Sequence, residues 1–206
     1  MLFPKGSALN LIEEFYWKQG FQRIAGIDEA GRGAIAGPLC VGLVIFPKDY
    51  KNSQIKDSKL LSPAKREKLY EIICQDALEY AIAMATSDEI NEFGIIKALF
   101  LAIERCLKQI NQFDLLLVDG PLQVPYFKGI QKSLIRGDKL SLSIAGGSIL
   151  AKVTRDRYME EIAKKYPQYG FEKHKGYATR EHLEALKKYG VCPIHRHNFK
   201  CFKEVL

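Results

Sequence analysis

Short apolar runs bounded by glycine, proline or polar residues alternate along this chain with segments of helical periodicity. The apolar runs have the length of strands, and we predict strands at residues 23–30, 38–46, 80–85, 114–119 and 133–138. The periodic segments predict helices at residues 8–19, 63–79, 95–110, 141–165 and 179–189, with a short helix capped by Ser87 or Asp88. Three early strands followed by strands alternating with helices predict a mixed α/β sheet with helices packed on it.

The composition fits a globular protein with one basic region. The chain has 206 residues, 47% of them hydrophobic, which is enough for one domain, or one domain with a helical appendage. Its formal net charge is +7, and residues 151–206 hold 13 Lys and Arg against 7 Asp and Glu. This basic excess indicates a polyanionic partner; the alternative is a basic face that only meets solvent.

The cysteines and the apolar segments bear on location. Cys40, Cys74 and Cys106 lie in apolar, periodic segments and are expected to be buried thiols, as in a reducing compartment. The first residues lack the pattern of a secretory signal, and no apolar run approaches the ~20 residues of a membrane span. We therefore expect a soluble cytoplasmic protein without membrane contact.

The strand at residues 23–30 ends in two adjacent carboxylates, Asp28 and Glu29, followed at once by Gly31, Arg32 and Gly33. Neighbouring carboxylates repel each other, so a cation is expected to neutralise them, and a divalent metal is the usual one. Glycines allow a close backbone approach to a ligand, and arginine offers a donor fork for phosphate. The alternative is a strand that simply runs into a polar turn.

Two further acids, Asp119 and Asp138, lie at the ends of other predicted strands. Ligands of α/β sheets collect at the carboxyl ends of strands, so these acids converge with Asp28 and Glu29 if the strands are adjacent. Four carboxylates around one point need about two divalent cations, as in two-metal phosphodiester cleavage. Oxygen-only ligands favour Mg²⁺ or Mn²⁺ over zinc.

Residues 26–33, Gly-Ile-Asp-Glu-Ala-Gly-Arg-Gly, followed by Ala36-Gly37-Pro38, resemble the opening motif of the ribonuclease HII family. Matching motifs follow in the family's order at residues 57–62, 148–156, 166–171, 174–179 and 193–196. The resemblance implies an RNase H-like mixed five-stranded sheet flanked by helices, with a C-terminal helical extension. It also implies that Asp28, Glu29, Asp119 and Asp138 are the catalytic metal ligands.

The resemblance further implies an endonuclease that cuts the RNA strand of RNA–DNA hybrids and nicks 5′ of a ribonucleotide embedded in duplex DNA. Products would carry a 3′-hydroxyl and a 5′-phosphate, and the enzyme would act as a monomer that removes misincorporated ribonucleotides and RNA primers. By the same resemblance, backbone groups of Gly31, Arg32 and Gly33 read the 2′-hydroxyl, which distinguishes RNA from DNA. Tyr177 would pack against the sugar after the scissile phosphate. Other substrate contacts are expected from Ser58, Lys59 and Lys152.

The chain departs from the family pattern in a few places. Arg136 stands where lysine is usual, Leu60 replaces a lysine that could contact phosphate, and Gly146-Gly147 replace small alanine-like residues. Glycine in a helix costs roughly 0.5–1 kcal/mol of stability relative to alanine. We therefore expect that replacing at least one of these two glycines by alanine stabilises the protein. We expect residues 1–20 to form a helical segment outside the match, and the resemblance implies that residues 21–206 form a type 2 RNase H domain with its C-terminal helical extension.

Other interpretations remain for parts of the sequence. Asp156, flanked by Arg155 and Arg157, is expected to be a salt-bridged structural residue rather than a metal ligand. Cys192, His195, His197 and Cys201 lie within ten residues but lack the spacing of a standard zinc finger. A junction resolvase of RNase H-like fold would cut all-DNA substrates. A non-catalytic hybrid-binding module would lack at least one of the four acids, all of which are present here.

Overall fold

The computed structural model describes residues 10–198 and contains five strands and seven α-helices in that range. The strands are β1 (Ile24–Ala30), β2 (Leu39–Ile45), β3 (Glu79–Ala85), β4 (Leu115–Asp119) and β5 (Gln131–Leu134). The helices are α1 (Leu11–Trp17), α2 (Pro63–Asp76), α3 (Ser87–Phe93), α4 (Ile95–Leu107), α5 (Leu142–Lys165), α6 (Phe171–His174) and α7 (Arg180–Tyr189). Short 3-10 helices cover Ser58–Leu60, Gly137–Lys139 and Pro167–Tyr169.

The strands form one mixed sheet in the order β3-β2-β1-β4-β5. The three early strands are antiparallel neighbours, whereas β4 and β5 run parallel to β1. Helices α3 and α4 cover one face, while α2 and α5 pack on the other against Val44 and Phe46. The predicted mixed α/β sheet of five strands with a C-terminal helical extension is therefore confirmed.

Helix α5 lies unusually close to the sheet because glycines face each other across the contact. A Cβ on Gly42 would lie 2.2 Å from the carbonyl oxygen of Gly147, and one on Gly147 would lie 2.5 Å from that of Gly42. A Cβ on Gly26 would meet the backbone of Ser143 and Ile144 at 2.3 Å. The close approach brings the middle of α5 beside the end of β1.

Helix α1 packs on the same sheet. Ile12 and Trp17 are buried with Ile24 and Leu117. Glu13 is 2% exposed and accepts hydrogen bonds from the Ser141 hydroxyl at 2.6 Å and the Ser143 amide at 2.9 Å. The carboxylate thus caps the N-terminus of α5, where unpaired amides favour a negative charge. Burial raises the pKa of Glu13.

Several element boundaries differ from the predictions. Strand β5 ends at Leu134 rather than reaching Asp138, which lies in the 3-10 helix Gly137–Lys139 after a left-handed Arg136. Thr86, rather than Ser87 or Asp88, caps α3, since its hydroxyl and the Glu89 carboxylate form a reciprocal capping box. Helices α2 and α4 end at Asp76 and Leu107, each three residues earlier than predicted. Within the part of the chain that the structure describes, no helix is long and apolar enough to cross a membrane.

Candidate active site

The carboxyl ends of β1 and β4 lie side by side. Ile27 pairs with Val118 in the parallel register, so the next residues, Asp28 and Asp119, are neighbours at the same edge of the sheet. One small pocket there is lined by Asp28, Glu29, Arg32 and Asp119, with apolar residues of α4 behind them. Three of the four predicted acids therefore meet at one place.

Burial and mutual repulsion dominate the electrostatics of these acids. Burial raises the pKa of Asp28 well above its usual range, and the charges of Glu29 and Asp119 raise it further. Burial also raises the pKa of Glu29, against the opposing charge of Arg32, whose Nη1 lies 3.3 Å from Glu29 Oε1. Ionised acids in this cluster are costly unless a cation joins them.

Asp138 approaches the pocket from the turn after β5. Its neighbour Gly137 donates its amide to Asp119 Oδ1 at 2.6 Å, which ties the turn to the end of β4. Burial raises the pKa of Asp138, and Asp57 and Asp119 add to the rise. Asp119 therefore lies within electrostatic reach of Asp28, Glu29 and Asp138.

Lys59 and Ser58 lie on the loop before α2. The charge of Lys59 acts on both Glu29 and Asp138, so this exposed lysine borders the acid cluster. Ser58 is 4% exposed, and its hydroxyl lies 3.0 Å from that of Ser148 on α5. Ser148 in turn hydrogen-bonds the Asp28 carboxylate. The Ser58 hydroxyl thus faces inward and supports Asp28 through Ser148.

Two buried arginines hold the segment that follows the acids, residues 31–38, here named the glycine loop. Arg196 donates to the carbonyls of Gly31, Ala34 and Gly37 at 2.6–2.8 Å. Arg155, from α5, donates to those of Ala36 and Pro38. Burial and the nearby charge of Arg155 lower the pKa of Arg196 to about 9. The shape of the loop is therefore fixed from beneath by side chains distant in sequence.

Tyr177 lies beyond the glycine loop, in the turn after α6, and is 38% exposed. Its ring lies over the Arg155 guanidinium, with Cζ 5.4 Å from the ring centroid. Its backbone carbonyl accepts a hydrogen bond from His182 Nδ1 at 2.9 Å. The side chain therefore stands at the surface on a buried, polar support.

Lys152 is placed apart from the acid pocket. Its Nζ lies 2.7 Å from Asp156, which is also 4.0 Å from Arg66 Nη2, in a groove with Lys175 and Glu160. Burial lowers the pKa of Lys152, against the opposing charge of Asp156. The prediction that Asp156 is a salt-bridged residue is confirmed, although its partners are Lys152 and Arg66 rather than the adjacent arginines.

Within residues 10–198, no three His, Cys, Asp or Glu side chains lie close enough together to hold a metal ion. Of the four residues considered as zinc ligands, Cys201 lies outside the described residues. The His195 ring is engaged elsewhere, because Nδ1 accepts the Cys192 amide at 2.8 Å and Nε2 lies 3.1 Å from His182 Nε2. The four acids form an open group rather than a closed coordination shell.

Comparison with known proteins decides the family. The model of the family described as Ribonuclease HII matches residues 25–202. A Ribonuclease HII of Endomicrobium trichonymphae is 49% identical over 192 residues, 93% of this chain and 91% of the relative. The chain belongs to the ribonuclease HII family.

Other relatives agree with this assignment. A Ribonuclease HII of Clostridioides difficile is 46% identical over 194 residues, 93% of this chain and 75% of the relative. The crystal structure of the ribonuclease H2 from Pyrococcus horikoshii superposes with a TM-score of 0.71 at 26% identity, covering 89% of this chain and 96% of that one. As a member of this family, the chain is a metal-dependent hydrolase, an endoribonuclease for RNA–DNA hybrids on an RNase H-like fold.

Sequence analysis overlooked three side chains of this ribonuclease HII site: Ser148, Arg155 and Arg196. Each lies in a motif that matches the family, but a sequence motif does not show which residues its side chains contact in the folded protein. For Arg155 a signal was present, because it falls four residues from both Ala151 and Met159, buried residues on the same face of α5. A charged residue in an apolar stripe indicates a buried polar role.

Proposed function

We propose that this protein cleaves 5′ of the RNA-to-DNA junction in a duplex, including at a single ribonucleotide embedded in DNA. Two divalent ions, Mg²⁺ or Mn²⁺, would assist, and the products would carry a 3′-hydroxyl and a 5′-phosphate. The observation that carries the proposal is the meeting of Asp28, Glu29 and Asp119 at one pocket that Arg32 also lines.

Asp28, Glu29, Asp119 and Asp138 would hold the metal ions. Their donor set is oxygen only, which fits Mg²⁺ or Mn²⁺, and the charges of Glu29 and Asp119 that help raise the pKa of Asp28 would be offset by such an ion. When bound, the ions would neutralise charge on the attacking and leaving oxygens of the phosphodiester. Ser58 and Ser148 would contribute by keeping the Asp28 carboxylate oriented. Ser58 would therefore support a metal ligand rather than contact the substrate directly.

The glycine loop would read the RNA side of the junction. Gly33 is exposed, and Arg32, which lines the acid pocket, is partly exposed, so backbone groups at these two positions could meet a 2′-hydroxyl. Gly31 is buried over Arg155 and would shape the loop. Lys59 would meet the phosphate backbone beside the acids, and Lys152 would do so in its separate groove once it leaves Asp156.

Tyr177 would read the DNA side. Its exposed ring offers a flat surface for the sugar after the scissile phosphate, where a 2′-hydroxyl would crowd it. The glycine loop and Tyr177 together would accept ribose on one side of a phosphate and deoxyribose on the other.

The biological setting we propose is the removal of misincorporated ribonucleotides and RNA primers by a cytoplasmic monomer. Cys40, Cys74, Cys106 and Cys192 are free thiols, which suits a reducing compartment. The basic C-terminal region suits a nucleic-acid substrate.

Asp28→Asn tests the metal site. The variant should lose nearly all cleavage, as should Glu29→Gln, Asp119→Asn and Asp138→Asn. In excess chelator Asp28→Asn should melt above wild type, because it removes a buried charge whose pKa is raised by neighbouring acids. Added Mn²⁺ should raise the melting temperature of wild type more than that of the variant.

Asp156→Asn is the matched control, since this acid pairs with Lys152 outside the acid pocket and should keep the metal-dependent rise in melting temperature. Near-wild-type cleavage by Asp28→Asn, or cleavage by wild type in excess chelator, would contradict the proposed site.

A further inference from the structure

Arg155 touches both of the surfaces assigned above to the two sides of the junction. Its guanidinium donates to Pro38 O at 2.8 Å and Ala36 O at 3.1 Å, both in the glycine loop. The same guanidinium lies under the Tyr177 ring, 5.4 Å from its centroid. Arg155 itself is fully buried, so it cannot meet the substrate.

Gly31 lies directly against the same side chain. Its φ is +86°, and a Cβ at this position would lie 1.9 Å from Arg155 Nε. The first glycine of the motif is therefore required by the arginine beneath it, apart from any contact with substrate. One guanidinium thus separates Gly31 from the Tyr177 ring.

A second link joins the two surfaces beside Arg155. The carbonyl of Gly176, next to Tyr177, accepts the amides of Ile35 at 2.9 Å and Ala36 at 3.2 Å. Gly176 has a φ of +82°, and a Cβ there would lie 2.4 Å from Ala36 O. The backbones are joined at this point, while Arg155 lies against the Tyr177 ring itself.

We propose that Arg155 is a positioning residue that sets the spacing between the glycine loop and the Tyr177 ring, and thereby selects the RNA-to-DNA junction. This inference rests on the proposed function. Arginine suits the task because its planar fork donates in its own plane while its flat face lies against an aromatic ring. Lysine keeps the charge but offers no planar face and no rigid fork.

The test compares Arg155→Lys with wild type on two substrates, a DNA duplex with one ribonucleotide and a long RNA–DNA hybrid. The measured quantity is selectivity, the ratio of kcat/KM on the first substrate to kcat/KM on the second. Selectivity should fall about tenfold or more, because a small misplacement of a positioning group is costly to the reaction it positions. Cut sites on a hybrid–DNA junction should also spread to neighbouring phosphates.

Arg157→Lys is the matched control. Arg157 lies two residues away on α5, and its Cζ also lies over a tyrosine ring, that of Tyr70, 4.5 Å from the centroid. It pairs with Glu67 and Glu71 at the surface, and Arg157→Lys should leave selectivity unchanged.

A double-mutant cycle tests whether Arg155 acts through Tyr177. In a Tyr177→Ala background, Arg155→Lys should reduce selectivity no further, since the two changes remove the same contact. Full additivity of the two losses would overturn the proposal. An equal loss of kcat/KM on both substrates, together with a lowered melting temperature, would also overturn the proposal, because Arg155 would then contribute only to the stability of the fold.

Failure of the proposed function can be distinguished from failure of this inference. If wild type itself shows no preference for the junction substrate, the proposed function is wrong and the inference is wrong with it. If Arg155→Lys does not fold, Tyr177→Leu and Tyr177→Phe replace it. Phe keeps a ring above the guanidinium and should keep selectivity, and selectivity retained by Leu would overturn the role of the Arg155–ring contact.

Discussion

Gly31 and Gly33 belong to one three-residue motif, yet they lie in different environments. Gly31 is buried with a positive φ over Arg155, so a side chain there is excluded by the protein itself. Gly33 is exposed, has no positive φ, and a Cβ on it would meet nothing within 4 Å. The folded chain itself therefore does not require a glycine at position 33.

Gly33→Ala separates substrate contact from folding. The free energy of unfolding of the variant should lie within about 0.5 kcal/mol of that of wild type, as expected for an exposed site without special backbone geometry. Its cleavage of RNA–DNA hybrid should fall about tenfold or more, because a methyl group would stand where substrate approaches. Gly31→Ala serves as the contrast and should lose stability as well as activity. Wild-type activity in Gly33→Ala would remove Gly33 from the substrate surface.

Helix α5 is the element that joins the core to the site. Its contact with β1 and β2 depends on Gly26, Gly42 and Gly147, and this close packing lets Ser148 reach Asp28. The sequence predicted the helix from its periodicity, but it could not predict the glycine contact, because the facing glycines lie more than 100 positions away along the chain. The prediction that alanine at residue 146 or 147 would stabilise the protein was based on helix propensity alone.

Gly147→Ala should therefore destabilise the protein, contrary to that expectation for this residue. The new Cβ would lie 2.5 Å from a backbone oxygen of β2, and overpacking of this kind costs about 1–3 kcal/mol, more than the propensity gain. Denaturant unfolding of the metal-free protein measures the change. Gly146→Ala is the neighbouring control, since its Cβ would meet only side chains, Phe46 and Val44, at 3.1–3.4 Å. A melting temperature for Gly147→Ala at or above that of wild type would show that α5 moves away at little cost.

At the scale of the whole molecule, a chain of buried histidines, His174, His182 and His195, ties the C-terminal extension to the catalytic sheet. His182 Nδ1 bonds the carbonyl of Tyr177, its Nε2 faces His195 Nε2, and His195 adjoins Arg196, which holds the glycine loop. His174 stacks on His182 with ring centroids 4.4 Å apart. The motifs in the sequence predicted that these segments matter, but the pairing of imidazoles emerges only when α6 and α7 fold together.

This histidine chain predicts a loss of stability in mild acid. Burial lowers the pKa of both His182 and His195 to about 4, below the ordinary value of 6.5. Because the unfolded chain binds these protons first, stability should be complete above pH 6.5 and decline as pH falls towards 4. Thermal melting between pH 7 and pH 5 measures it. His182→Gln should flatten this decline, and the exposed His197→Gln should flatten it less, because His197 acts on His195 only as a nearby charge. An equal slope in all three proteins would contradict the assignment.

The four acids and the motif order allowed the fold and the family to be predicted from sequence, together with the meeting of Asp28, Glu29 and Asp119 at one pocket. Charged side chains at strand ends are local signals, and a five-stranded sheet follows from runs of apolar residues. The supports beneath the site could not be predicted in this way. Arg155, Arg196 and Ser148 act through contacts with Tyr177, the glycine loop and Asp28, and these depend on how distant segments pack.

The most direct test of the account is cleavage of one DNA duplex that carries a single ribonucleotide, with an all-DNA duplex of the same sequence as control. With Mg²⁺ or Mn²⁺ present, we expect one nick on the 5′ side of the ribonucleotide, leaving a 3′-hydroxyl and a 5′-phosphate, and no cleavage of the control. Cleavage of the all-DNA duplex would contradict recognition of the 2′-hydroxyl. An intact ribonucleotide-containing duplex, under conditions where an RNA–DNA hybrid is cut, would contradict junction recognition by the glycine loop and Tyr177.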